Sequence, residues 1–155
     1  MARGSEHPRA LLGDTDLFFF FLRGGWCESQ ATDVIREAGE GGLDLRTSSE
    51  IYDDAISAIR ADGASLEIAR DFVADMKAIP HTPFPMSAEV AEEAMSLYLG
   101  HGGRRSLSYF DSFHIATAKR YDLPILTSDK YMIEHSAKLG VGVVDLSQWK
   151  GGTLR

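Results

Sequence analysis

One cysteine, Cys27, stands in the 155 residues. It has no partner for an internal disulfide and no thiolate companions for a zinc site, which excludes a disulfide scaffold and fits a reducing compartment. Basic residues are also scarce. Sixteen Lys and Arg face 23 Asp and Glu, a net charge of −7 at pH 7, so bulk positive charge cannot hold nucleic acid. Any such binding has to come from a local feature. Long apolar runs are missing as well. The strongest, residues 10–22, is broken by Asp14 and Asp16. It falls short of the roughly 20 residues that span a bilayer, and no small-residue cleavage pattern follows it. A cytoplasmic protein with no membrane segment is expected.

What is present is a composition ordinary for a folded domain, 44% hydrophobic and 25% charged, in a length that holds one domain. Residues 1–9 are expected to be a polar leader without fixed structure, and residues 10–150 a single domain. Residues 10–13 form a short apolar run halted by Asp14, and 17–22 open a buried helix that ends at Gly24-Gly25. Helical spacing of Ala31, Val34, Ile35 and Ala38 marks a helix over 29–38, and 43–47 reads as a second strand. Helices follow over 48–62 and 66–77, the first with an apolar stripe of Ile51, Tyr52, Ala55, Ile56 and Ile59. The proline-punctuated stretch 79–85 suits an extended connection. Helices over 87–99 and 107–121, a strand over 124–127, a helix over 129–139 and a strand over 141–145 complete the chain. Alternation on this scale predicts an α/β fold with a parallel sheet.

Placed on this map, three acids fall just beyond strand ends: Asp14 after the first, Glu50 after the second and Asp129 after the third. Ligands of open parallel sheets bind outside the carboxyl ends of the strands, so these three can converge. Asp111 adds a fourth, early in a helix that is apolar almost all round. Carboxylates about 4 Å apart repel by about 4 kcal/mol per pair at an effective dielectric near 20, so such a group needs protons or cations. For oxygen ligands at neutral pH the usual cation is Mg²⁺ or Mn²⁺, and the chemistry that follows is phosphodiester hydrolysis or phosphoryl transfer. Each acid also has a plainer role as a helix cap. Asp14 and Asp129 precede helices, while Glu50 follows Thr47 by three and Asp111 follows Ser108 by three, the spacing of a capping box.

Four segments carry a family resemblance. Leu11-Leu12-Gly13-Asp14-Thr15-Asp16-Leu17, Thr47-Ser48-Ser49-Glu50, residues 107–118 around Asp111, and Leu126-Thr127-Ser128-Asp129 resemble the four acidic motifs of PIN domains, most closely those of VapC-type toxins. The resemblance runs from about residue 10 to 145. It implies a three-layer α/β/α sandwich with a four- or five-stranded parallel sheet, and a Mg²⁺- or Mn²⁺-dependent endoribonuclease. Asp14 and Asp111 correspond to direct metal ligands, Glu50 and Asp129 complete the catalytic site, and Thr15, Thr127 and Ser128 are hydroxyls that orient the carboxylates. It also implies a homodimer inhibited by a cognate antitoxin. Asp16 departs from the pattern, standing where Asn or Ser is more usual; it either adds a fifth carboxylate to the site or is a solvated charge at a helix start, and the second is expected.

The residues also admit other readings. Asp14-Thr15-Asp16 matches the opening of haloacid-dehalogenase-type phosphatases, but Leu17-Phe18 follows in place of the expected small polar pair. A catalytically silent PIN-like module that binds RNA or protein is a further alternative. His114 is expected to be a packed or partly exposed helical residue, and the glycine-rich 100–103 lacks the lysine and hydroxyl of a nucleotide cradle. Arg104, Arg105 and Lys130 border the motifs and are expected to grip RNA phosphates.

Overall fold

The computed structural model describes residues 7–151, so residues 1–6 of the expected leader lie outside the described residues. His7, from the same segment, stacks on Trp149 with ring centroids 4.0 Å apart and lies 2.8 Å from Glu37 Oε2.

Five strands form one parallel sheet in the order β3-β2-β1-β4-β5. They are β1 (Ala10–Gly13), β2 (Asp44–Ser48), β3 (Thr82–Phe84), β4 (Ile125–Thr127) and β5 (Val143–Asp145). Helices α1 (Thr15–Arg23) and α2 (Glu28–Gly39) connect β1 to β2, and α3 (Ile51–Ala61) and α4 (Leu66–Ala78) connect β2 to β3. Helices α5 (Ala88–His101) and α6 (Tyr109–Arg120) return to β4, and α7 (Lys130–Glu134) and α8 (Ser136–Leu139) lead to β5.

The two-residue period of a strand divides the core. Leu11 and Leu126 point into one apolar cluster, built with Leu17 and Phe18 of α1, Val34 of α2, Ile59 of α3 and Met76 of α4. Leu12 and Ile125 point the other way, onto Val90 and Ala94 of α5, Ile115 and Ala118 of α6, and Met132 and Leu139. Burying both faces is what a parallel sheet requires, and the outcome is the expected three-layer sandwich. No helix among the described residues is long and apolar enough to cross a membrane.

Two elements differ from the sequence reading. The proline stretch supplies β3, in which Pro83 stands opposite Thr47 of β2. Proline offers no N–H to a ladder, which a strand at the sheet edge does not need on both sides. The single helix expected over 129–139 is two short ones, α7 and α8, with His135 between them outside helical geometry (φ −113°, ψ 19°).

Candidate active site

Strand order reverses between β1 and β4, so their carboxyl ends open a crevice at the switch point of the sheet. Asp14 is placed there by β1. Its own N–H bonds Leu126 O of β4 at 2.9 Å, which fixes the backbone. Its carboxylate is only 4% exposed and is held at both oxygens: Oδ1 accepts from Thr15 N–H at 2.7 Å, and Oδ2 accepts from Thr127 Oγ1–H at 2.7 Å.

Helix α6 brings Asp111 to the same crevice from its first turn. Ser108 caps that helix by accepting the Asp111 N–H at 3.2 Å, so the capping spacing is real and sets where the acid sits. One turn on, His114 is fully buried on the inner face. Helix α3 contributes Asp54. One donor atom from each of Asp14, Asp54, Asp111 and His114 falls in a group whose members all lie within 4.8 Å of one another.

His114 ties the group together. Nδ1 lies 2.6 Å from Ser48 Oγ at the end of β2, and Nε2 lies 2.8 Å from Asp54 Oδ2 and 3.1 Å from Thr15 Oγ1. Thr15 in turn donates its hydroxyl to Asp54 Oδ2 at 2.5 Å. Among the described residues, the ion-pair partner of Asp14 and Asp54 is this imidazole, 4.0 Å from Asp14 Oδ1.

Burial and mutual repulsion set the protonation of the group. Burial pushes the Asp14 carboxyl above its ordinary range against the pull of His114 and two hydrogen bonds. Burial and the Asp14 charge hold Asp111 well above it, with Asp129 adding to the effect. Burial opposes a charge on His114, yet its hydrogen bond to Asp54 and the charges of Asp14, Asp54 and Asp111 outweigh that and raise its pKa. Burial is thus the leading reason these acids resist ionising, with their mutual repulsion added at Asp111. A hard divalent cation fits this donor set, since the donors are carboxylate oxygens and the two nitrogens of His114 are already engaged with Ser48 and Asp54.

The residues expected from sequence are placed unequally. Asp14 and Asp111 come together. Glu50 stands outside the group, because α3 begins at Ile51 and leaves Glu50 at its N-terminus, one turn before Asp54. Asp129 caps α7 by accepting the Met132 N–H at 3.0 Å while its charge reaches Asp111. Thr15 serves Asp54 and Thr127 serves Asp14, whereas Ser128 is engaged with Asp16. Asp16 is the clearest correction. It is no solvated charge: its Oδ2 accepts both the N–H and the hydroxyl of Ser128, and burial together with the Asp14 charge pushes its pKa from 3.8 up to about 7. Arg104, Arg105 and Lys130 are exposed.

Asp54 and His114 are the members that sequence reasoning missed or set aside. Asp54 had a signal: it stands three residues after Ile51 and one before Ala55, on the face that α3 buries.

No curated protein matches the sequence. Among solved structures, the fold is similar to VapBC2 from Rickettsia felis bound to a DNA fragment from their promoter, at 10% identity and TM-score 0.63, covering 88% of this chain and 98% of that one. It is similar also to FitAcB from Neisseria gonorrhoeae, at 16% identity and TM-score 0.61, covering 89% and 99%. VapBC-5 from Mycobacterium tuberculosis, a member of the VapBC family of toxin-antitoxin systems, aligns at 16% identity and TM-score 0.56, covering 89% and 99%. These likenesses establish the fold. The sequence itself matches the profile of the PIN domain over residues 14–138, which takes in Asp14, Asp54, Asp111 and Asp129, and the chain belongs to the PIN domain family.

Proposed function

We propose that the protein is a divalent-metal-dependent endoribonuclease that hydrolyses RNA phosphodiester bonds, and that it acts as the toxin of a toxin-antitoxin pair. The observation that carries this reading is the convergence of Asp14, Asp54 and Asp111, from three separate elements, at the switch point of a PIN domain sheet. The same family match sets aside the phosphatase reading.

In this mechanism Asp14, Asp54 and Asp111 would hold Mg²⁺ or Mn²⁺. A divalent ion bound there would supply Lewis acidity toward a phosphate oxygen and a lowered pKa for water. The chain's own residues do the rest. Thr127 and the Thr15 N–H orient Asp14, and His114 with the Thr15 hydroxyl orients Asp54. Asp129, at the start of α7, and Glu50, one turn before Asp54, assist in cation placement or proton handling. Arg104, Arg105 and Lys130 grip phosphates flanking the scissile bond. The toxin role draws support from the solved structures of similar fold, which include a toxin-antitoxin complex from Klebsiella pneumoniae. A homodimer and a cognate antitoxin follow from it; sedimentation as a strict monomer would count against the first.

The test is incubation with structured and single-stranded RNA in Mg²⁺ or Mn²⁺, beside EDTA and the Asp14→Asn and Asp111→Asn variants. Cleavage that needs the metal and is lost in both variants is expected. Cleavage that persists in EDTA and in the variants contradicts the reading, and RNA binding with no cleavage of any RNA favours a silent binding module.

A further inference from the structure

The carboxylate of Asp16 is used by none of the steps above, yet it is committed to one place. It projects from the first turn of α1 and accepts two hydrogen bonds from Ser128, one from the backbone N–H at 2.7 Å and one from the hydroxyl. Ser128 lies between the two residues of the β4 end that bear on the site. Thr127 Oγ1 donates to Asp14 Oδ2 at 2.7 Å and accepts the Asp129 N–H at 3.0 Å. A continuous chain of hydrogen bonds and covalent links thus runs from Asp16 through Ser128 to Thr127 and Asp129, and returns to Asp14 two residues from where it began.

The neighbouring strands give that loop its purpose. Asp14 is fixed to β4 through its N–H on Leu126 O, but the turn after Thr127 has left the sheet and no ladder bond holds it. Two donors on one carboxylate oxygen replace the missing ladder. One acceptor oxygen taking both the N–H and the hydroxyl of Ser128 satisfies two donors of a turn that has left the sheet.

We propose that Asp16 is a positioning residue, clamping the turn after β4 to α1 so that Thr127 holds the Asp14 carboxylate, and Asp129 faces the crevice, in the arrangement that takes a divalent cation. The claim rests on the reading of Asp14 as a cation ligand. Its essential feature is an oxygen acceptor at position 16, and a negative charge there is dispensable.

Asp16→Asn keeps an acceptor oxygen and Asp16→Ala removes it, so the pair separates the two. Two readouts are taken on the full chain, each variant first matched to the parent by its far-ultraviolet circular dichroism. Amide hydrogen exchange without metal reports the clamp itself: Asp16→Ala loses protection at Ser128 and Asp129, and Asp16→Asn retains it. Calorimetric titration with Mn²⁺ reports the consequence. Loss of an orienting partner costs 10- to 100-fold in metal affinity, so Asp16→Ala weakens Mn²⁺ binding by at least about tenfold and Asp16→Asn by less than about threefold. Unchanged protection or unchanged Mn²⁺ affinity in Asp16→Ala overturns the proposal. Equal losses in both variants overturn it too, by assigning the effect to charge. A parent protein that binds no Mn²⁺ while Asp16→Ala still loses protection overturns the cation reading instead, and with it the purpose of the clamp.

Discussion

His114 and Asp54, sixty residues apart in the chain, meet at 2.8 Å inside the protein, and the imidazole that joins them has no exposed surface. The pair links α6 to α3 across the end of β2, where Ser48 takes the other ring nitrogen. A group that bridges three elements in this way is a structural pin and, when protonated, the positive partner of a carboxylate cluster.

Replacing His114 by Ala therefore strands partners that water cannot reach easily. Ser48 loses its hydrogen bond, Asp54 loses its ion pair, and a ring-sized void opens beneath them. Breaking a buried pair by removing one member costs about 3 to 5 kcal/mol. Urea unfolding of metal-free protein is expected to show a loss of that order with an unchanged denaturant slope. A loss below about 0.5 kcal/mol would mean the ring is not the pin described.

Protons bear on the metal-free site with a definite sign. The Asp16 carboxyl ionises near 3.8 when unfolded and near 7 when folded. Between those values the folded state keeps a proton that the unfolded state has released. Its stabilising contribution is complete below pH 3.8, shrinks as pH rises, and is gone above about 7. Asp14 and Asp111, also raised, act in the same direction, and His114 loses its contribution as pH climbs through its raised value. Melting temperature followed in EDTA across pH 4 to 8 should fall more steeply, or rise less, in the parent than in Asp16→Asn. Superimposable profiles would remove Asp16 from this account.

Holding RNA against a net charge of −7 falls to a few exposed cations. Arg104 and Arg105 lie in the loop before α6, closed by the Leu107 N–H on His101 O at 3.2 Å. Each phosphate contact on a single strand contributes about 0.7 to the slope of log affinity against log salt. The double replacement of Arg104 and Arg105 by Ala should weaken RNA binding at low salt and flatten that slope by about 1.4. Binding with an unchanged slope would place the RNA elsewhere.

Much of the fold and part of the site are legible in the residues themselves. Leu11 and Leu12 announce a strand buried on both sides, Asp14 its end, and the Asp111 helix an acid among apolar neighbours. What escaped did so for physical reasons. Thr82–Phe84 carries a proline that reads as a strand breaker, and only its place at the sheet edge makes it a strand. Asp54 lies in a helix whose apolar stripe reads as core, so an acid beside that stripe passes for a solvated one until α3 is packed. Asp16 reads as a solvated charge in the sequence because its partner, Ser128, is 112 residues distant. Short-range spacing finds caps and stripes, and it cannot find a hydrogen bond closed by the sheet.

The central claim is that Asp54, grouped with Asp14 and Asp111, holds the cation of a metal-dependent ribonuclease site, while Glu50, one turn before it, only assists. The initial rate of RNA cleavage in Mn²⁺, compared among the parent, Asp54→Asn and Glu50→Gln, tests this directly. The account predicts a fall of at least about 100-fold for Asp54→Asn, the upper end of what even an orienting partner costs, and less than tenfold for Glu50→Gln. Undiminished cleavage by Asp54→Asn, or a larger loss in Glu50→Gln, would contradict it.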